Sequence, residues 1–154
     1  MVSHGGFPNI DIHQEVTGGL LEPASLNYNI VTELLRQELG YQHLVVTDDL
    51  EMGAIARHCD IETAALRAFK AGEDMLLICA TPEKIRAGYH SLLNAAKQDR
   101  LPKDRIRASL RRIAASKAIV QPPLPFDRER LQTLSDDILK LNKKLNYTYG
   151  GTIK

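Results

Sequence analysis

Three runs of consecutive apolar residues punctuate the first half of the chain. They are Met1-Val2 before Ser3-His4, Leu44-Val45-Val46 before Thr47-Asp48-Asp49, and Met75-Leu76-Leu77-Ile78-Cys79 before Thr81-Pro82. Continuous rather than alternating runs of this length predict strands of a parallel sheet covered on both faces. We expect the tail of a strand at Met1-Val2-Ser3-His4, a strand over Leu44 to Thr47, and a third over Met75 to Cys79. Between them the apolar positions change to helical spacing. Ile30, Val31, Leu34, Leu35 and Leu39 share one face, with Ser25 as the expected N-cap and Gly40 as the residue past the end. Asp60 is placed to cap a second helix through Ala64, Ala65, Leu66, Ala68 and Phe69 that stops at Gly72. Thr81-Pro82-Glu83 opens a third in the cap-then-proline arrangement. The order is strand, helix, strand, helix, strand, helix, with a repeat near the ~30 residues of a βαβ unit.

A further helix carries Ile106, Leu110 and Ile113 on one face and is expected to end near Ile119. Gln121-Pro122-Pro123-Leu124-Pro125 reads as a rigid linker. Beyond it Leu131, Leu134, Ile138, Leu141 and Leu145 repeat at alternating spacings of 3 and 4. That seam covers about two heptads, short of the three or four that mark a coiled coil, so an amphipathic helix docked on the body is expected. The segments are thus 1–119, a linker at 120–126, and a helix with a polar tail at 127–154.

Composition narrows the function classes. The chain has 154 residues, 44% of them hydrophobic and 25% charged, with a net charge of +1. This is an ordinary globular balance, with no basic footprint for nucleic acid and no acidic tail. Cys59 and Cys79 lack metal-ligand spacing and read as two buried thiols. No apolar run approaches the ~20 residues that span a bilayer, and Ser3-His4-Gly5-Gly6 interrupts any secretory leader, so a cytoplasmic location is expected. Asn146-Tyr147-Thr148 matches the glycosylation sequon, a weak signal without secretion.

Chemistry concentrates at Val45-Val46-Thr47-Asp48-Asp49-Leu50-Glu51-Met52-Gly53. A buried parallel strand that ends in an acid delivers a carboxylate to the open end of a sheet or barrel. The competing reading of Asp48 is an ordinary turn cap after a strand. Successive strand residues point to opposite faces, so Asp48 and Asp49 are not expected to share one substrate atom, and Asp49 reads as structural. Met52 is a candidate for lining a ligand subsite, against the plainer role of core packing. His4 closes the preceding strand and is a candidate pocket residue, against a hydrogen-bonded structural role.

Several of these stretches, in this order, resemble family 3 glycoside hydrolases, and within them the β-N-acetylhexosaminidase branch. They are Met1-Val2-Ser3-His4, Pro23-Ala24-Ser25-Leu26, Leu34-Leu35-Arg36-Gln37-Glu38-Leu39-Gly40, Val45 to Ile55, and Ala68-Phe69-Lys70-Ala71-Gly72-Glu73-Asp74-Met75-Leu76-Leu77-Ile78. The resemblance covers about residues 1 to 118 and does not extend over 120 to 154. It implies a (β/α)8 barrel and retaining hydrolysis through a covalent glycosyl-enzyme, without metal or organic cofactor. It also implies that Asp48, directly after the Thr that closes its strand, is the nucleophile. The implied substrate is a terminal β-linked N-acetylhexosamine or a β-glucoside, with His4 and Met52 beside the sugar.

Retention also needs a group that protonates the leaving oxygen and later activates water. The resemblance implies an Asp-His dyad for this, with a Lys-His and an Arg that hold the sugar, all upstream of Met1. Asp11-Ile12-His13 has the reversed order and follows the wrong strand. A whole barrel takes ~250 residues, so the expected architecture is α/β: about the last three βα units of a barrel, plus C-terminal helices. The expected product is an inactive fragment that self-associates through open sheet edges or folds poorly unless the rest of the barrel is supplied. Two other readings compete. In one, Val45-Val46-Thr47-Asp48-Asp49 is a phospho-acceptor strand, which lacks the earlier acidic pair such domains need. In the other, the partial barrel is a non-catalytic interaction or assembly protein.

Overall fold

The computed structural model describes residues 1–8, 21–123 and 125–145. The Gly18-Gly19 stretch, the Asp11-Ile12-His13 triplet, Leu124 and the Asn146-Tyr147-Thr148 sequon lie outside the described residues. The chain forms two compact units, Met1–Val120 and Gln121–Lys154.

In the first unit a small parallel sheet carries the elements. Strand β1, Val46–Asp49, pairs in parallel with β2, Met75–Leu77. On its other side β1 accepts Val2 in a parallel bridge at Thr47: Val2 N–H donates to the Val46 carbonyl (2.8 Å) and Asp48 N–H to the Val2 carbonyl (3.0 Å). The expected strand at the start of the chain is therefore one bridge long among the described residues. The second strand also begins and ends two residues later than expected. Val45 faces Asp74, whose Oδ2 accepts its N–H, and the extended backbone is carried through Asp48 by the bridge to Val2 and through Asp49 by its pairing with Leu77. The third strand stops at Leu77, because the Cys79 N–H turns away to the Asp49 carboxylate. Between the Val46–Met75 and Asp49–Leu77 pairs two residues of β1, Thr47 and Asp48, oppose one of β2, Leu76. At this bulge Leu77 N–H donates to the Thr47 hydroxyl (3.0 Å).

The helices follow from their caps and stops. Ser25 is not the N-cap of the first one. It lies in a 3₁₀ turn, Ala24–Leu26, fully buried, and its hydroxyl serves His4 instead. Asn27 takes over, its side-chain oxygen accepting from Ile30 N–H (3.1 Å), and a π-helix runs over Asn29–Glu38 to Gly40 at φ +69°. A short helix α1, Gly53–Ala56, follows the mouth of β1. Helix α2, Ile61–Ala71, is capped by Asp60, which accepts from Thr63 N–H (2.8 Å), as the sequence predicts. It stops at Gly72 with φ +132°, where an added Cβ would lie 2.6 Å from the Thr32 hydroxyl. Helices α3, Pro82–Lys97, and α4, Lys103–Ala118, complete the unit. Pro82 opens α3, but the Thr81 side chain makes no cap; its N–H goes to Glu51. Gly88 lets α3 approach β2, since a Cβ there would meet Ile78 Cδ1 at 2.7 Å.

The core forms two clusters. Leu26, Leu50, Ile55, Ala64 and Ala68 pack with Leu76 and Ile78, while Val31, Val45 and Ala71 pack with Val2 and Leu35, so α2 contributes to both. Cys59 is partly buried but Cys79 is exposed, because it lies in the turn past β2 rather than in the strand. In the second unit helix α5, Arg128–Lys144, is capped by Asp127, and Leu131, Leu134, Ile138 and Leu141 along its seam are all exposed. No helix among the described residues is long and apolar enough to cross a membrane.

Candidate active site

The carboxylates of the mouth lie where β1 ends. Asp48 and Asp49 are the last two residues of the strand, both half-buried, and Glu51 follows in the turn to α1. The Asp48 carboxylate accepts the Asp49 N–H at 2.8 Å. Asp49 Oδ1 accepts from Glu51 N–H (3.1 Å) and Cys79 N–H (3.2 Å). The two carboxylates thus accept from different backbone amides. Glu51 accepts from Ala80 N–H (2.6 Å) and Thr81 N–H (3.0 Å) and pairs with Lys84 (3.4 Å). Hydrogen bonds from the Thr81 side chain and from the Ala80 and Thr81 amides hold its carboxyl down to about 2.

His4 lies beside this mouth, 9% exposed, with both ring nitrogens engaged. Nε2 stands 2.9 Å from the Asp49 carbonyl, which can only accept, so that nitrogen carries the proton. In the neutral ring Nδ1 then accepts from the Ser25 hydroxyl at 2.7 Å. Met52, 45% exposed, sits on the surface rather than in the core, and its N–H also donates to the Asp49 carbonyl (3.1 Å).

A second charged cluster occupies the opposite end of the sheet, ahead of β2. The buried Asp74 carboxylate meets Arg36 (2.8 Å), Arg105 (3.3 Å), Arg112 (2.8 Å) and the Ser109 hydroxyl (2.5 Å). Burial alone would raise its pKa, but the bonds from Arg112 and Ser109 outweigh that and hold it at about 2. Glu73 beside it is fully buried, and neither carboxyl oxygen has a hydrogen-bond partner. Burial pushes it up to about 8 against the attraction of Arg36. Arg36, Glu73 and Asp74 lie within stretches that carry the family resemblance, but nothing in the sequence marks them as one cluster, although Arg105, Ser109 and Arg112 at i, i+4 and i+7 already place a polar stripe on one face of α4. Nor does anything in the spacing around Glu51 mark it as a tether for the next strand's turn. Among the described residues no group of three or more His, Cys, Asp or Glu could hold a metal ion.

Carboxylates gathered at the C-terminal end of a parallel strand, with a helix following, place the site in the class of α/β enzyme mouths. The profile described as "Glycosyl hydrolase family 3 N terminal domain" matches residues 1–116. The "Beta-hexosaminidase A" of Pseudoalteromonas piscicida is 31% identical over 126 residues, 76% of this chain and 21% of that protein. A beta-hexosaminidase of Alkalilimnicola ehrlichii is 42% identical over 65 residues, 42% of this chain and 19% of its own length. Among solved structures, a family 3 β-N-acetylglucosaminidase from Paenibacillus sp. superposes with a TM-score of 0.64 at 34% identity, covering 70% of this chain and 21% of that one. The chain belongs to glycosyl hydrolase family 3, through the N-terminal domain of that family. It spans about a fifth of the length of the curated relatives it matches.

Proposed function

We propose that Asp48 is the nucleophile of a retaining glycosidase acting on terminal β-linked N-acetylhexosamine. The observation that carries this reading is the placement of Asp48: half-buried at the end of β1, with one oxygen fixed by the Asp49 N–H. The other oxygen has no hydrogen bond among the described contacts and is the one we assign to the anomeric carbon. Its attack forms a glycosyl-aspartate ester as the bond to the leaving oxygen breaks, and water later hydrolyses the ester. Protonating the leaving oxygen and activating that water need a second group, which this reading assigns to the portion of the family's proteins that the chain does not span. The sheet and its helices are read as βα units of a (β/α)8 barrel. Met52, exposed beside the mouth, would line the sugar subsite. His4, with both nitrogens committed, would border the subsite by holding the Asp49 peptide rather than by bonding the sugar.

The edge of β2, unpaired among the described residues, favours a second reading, a non-catalytic assembly piece. An apolar cleft of ≈ 330 Å³ is lined by Leu76, Ile78, Tyr89, Ile106 and Leu110.

Titration with N-acetylglucosamine, followed through the backbone amides, separates the two. The glycosidase reading expects shifts confined to residues 47–53 and 78–81. Unchanged spectra at saturating sugar, or shifts confined to the β2 cleft, would contradict it.

A further inference from the structure

Three successive backbone N–H groups, those of Cys79, Ala80 and Thr81, all donate to carboxylates of the β1 mouth: Cys79 to Asp49, Ala80 and Thr81 to Glu51. These residues follow the end of β2 and pair with no strand among the described residues, and the two acids accept their N–H groups instead. Asp49 is the junction of the arrangement. Its N–H holds the Asp48 carboxylate, its carbonyl accepts from His4 and Met52, and its side chain accepts from Glu51 and Cys79. A peptide fixed at all three of these points cannot rotate without breaking several hydrogen bonds at once.

We propose that Asp49 and Glu51 are positioning residues, a two-carboxylate clamp that locks residues 79–81 onto the mouth of β1 and so fixes the peptide whose N–H orients the Asp48 carboxylate. The inference rests on the reading of Asp48 as the reacting group. Glu51 is suited to the role: its side chain is largely shielded and paired with Lys84, and it stays ionised throughout the pH range in which such chemistry runs. An acid that served only as an N-terminal cap of α3 would accept the Ala80 and Thr81 amides. It would have no bearing on how Asp48 is held.

The test follows the Asp49 amide proton in the full chain while the pH is lowered until the carboxylates protonate. A proton donated to the Asp48 carboxylate shifts as that group titrates, and Asp48→Asn abolishes the excursion. The clamp predicts that Glu51→Ala and Asp49→Ala lose most of the excursion. Glu51→Gln, which keeps a carbonyl acceptor but drops the Lys84 pair, retains an intermediate one, and Asp49→Asn, with one acceptor oxygen left, is rescued in part. Full retention in Glu51→Ala overturns the inference, as does a wild-type Asp49 amide that ignores the Asp48 titration. If Glu51→Ala does not fold, Glu51→Gln decides, since an undiminished excursion there overturns the clamp. The sugar titration keeps the two questions apart. A lost excursion together with no response to N-acetylglucosamine removes the glycosidase reading and leaves the clamp standing.

Discussion

Replacing Glu73 by Gln is expected to stabilise the chain at neutral and alkaline pH while changing little near pH 5. The carboxyl is fully buried and unpartnered. The charged groups acting on it are Arg36 from the π-helix, the ammonium of Met1, the adjacent Asp74 and Arg105 from α4. Burial dominates and raises the folded-state value to about 8 from the ordinary 4.5. The folded chain therefore keeps a proton that the unfolded chain releases. Its stability is full below about pH 4.5, falls as pH rises toward 8, and levels off beyond. Ionising such a group in place costs on the order of 5 kcal/mol at the upper end of that window, and relaxation of the site reduces this to about half. The glutamine side chain of Glu73→Gln cannot ionise and leaves an unpartnered amide, comparable to the protonated acid. The gain therefore grows from about zero at pH 5 to about 2–4 kcal/mol at pH 8.5. Asp74 and Glu51, both held at about 2, titrate below this window and do not mask it. Urea unfolding followed by far-UV circular dichroism at several pH values measures the difference. Parallel curves for the two proteins between pH 5 and 8.5, or a Gln variant that is the less stable at pH 8.5, would refute the argument.

Other outcomes follow from the same structure. Asp74→Ala leaves Arg36, Arg105 and Arg112 facing one another without their shared acid, and should cost about 3–5 kcal/mol in a urea titration. Gly72→Ala forces a side chain into φ +132° and places its Cβ 2.6 Å from the Thr32 hydroxyl and 2.8 Å from Val31 Cγ1; a loss of more than about 1 kcal/mol is expected, read as a lowered Tm. If the general acid belongs to the part of the family's proteins that this chain does not span, the purified chain should turn over a chromogenic N-acetyl-β-glucosaminide negligibly, since removing a general acid costs a factor of about 10² to 10⁴. Turnover at the rate of a whole enzyme, abolished by Asp48→Asn, would show that the chain holds its own acid.

The elements that announce themselves by local chemistry were legible in the sequence. Asp60 and Gly72 bound α2, Pro82 opens α3, and Gly40 closes the π-helix, because each acts through its own backbone. What depends on tertiary partners was not. Ser25 has the residue type of a cap, yet it is buried against His4, a contact across 21 positions that no window reveals. The end of β2 is set by Asp49 drawing the Cys79 N–H away from the ladder, and that acid lies 30 residues earlier. The exposure of Cys79 follows from the same diversion. At the mouth, the abrupt end of an apolar run marks Asp48 and Asp49 and strand alternation separates them, while the choice of Asp48 over a turn cap rests on the family resemblance. The tether through Glu51 and the buried pair Glu73 and Asp74 become visible only when α3, α4 and the π-helix are packed against the sheet.

The central claim is that Asp48 attacks an anomeric carbon, and covalent trapping tests it most directly. A 5-fluoro-N-acetylglucosaminyl fluoride carries a leaving group that departs as fluoride without a proton donor, so the first step does not depend on a general acid. Attack by the Asp48 carboxylate breaks the carbon–fluorine bond and leaves the glycosyl ester on the protein. The account predicts an intact-mass increase of one fluoroglycosyl group, located by peptide sequencing to Asp48 and lost in Asp48→Asn. A label on any other residue, or an undiminished label in Asp48→Asn, would contradict it.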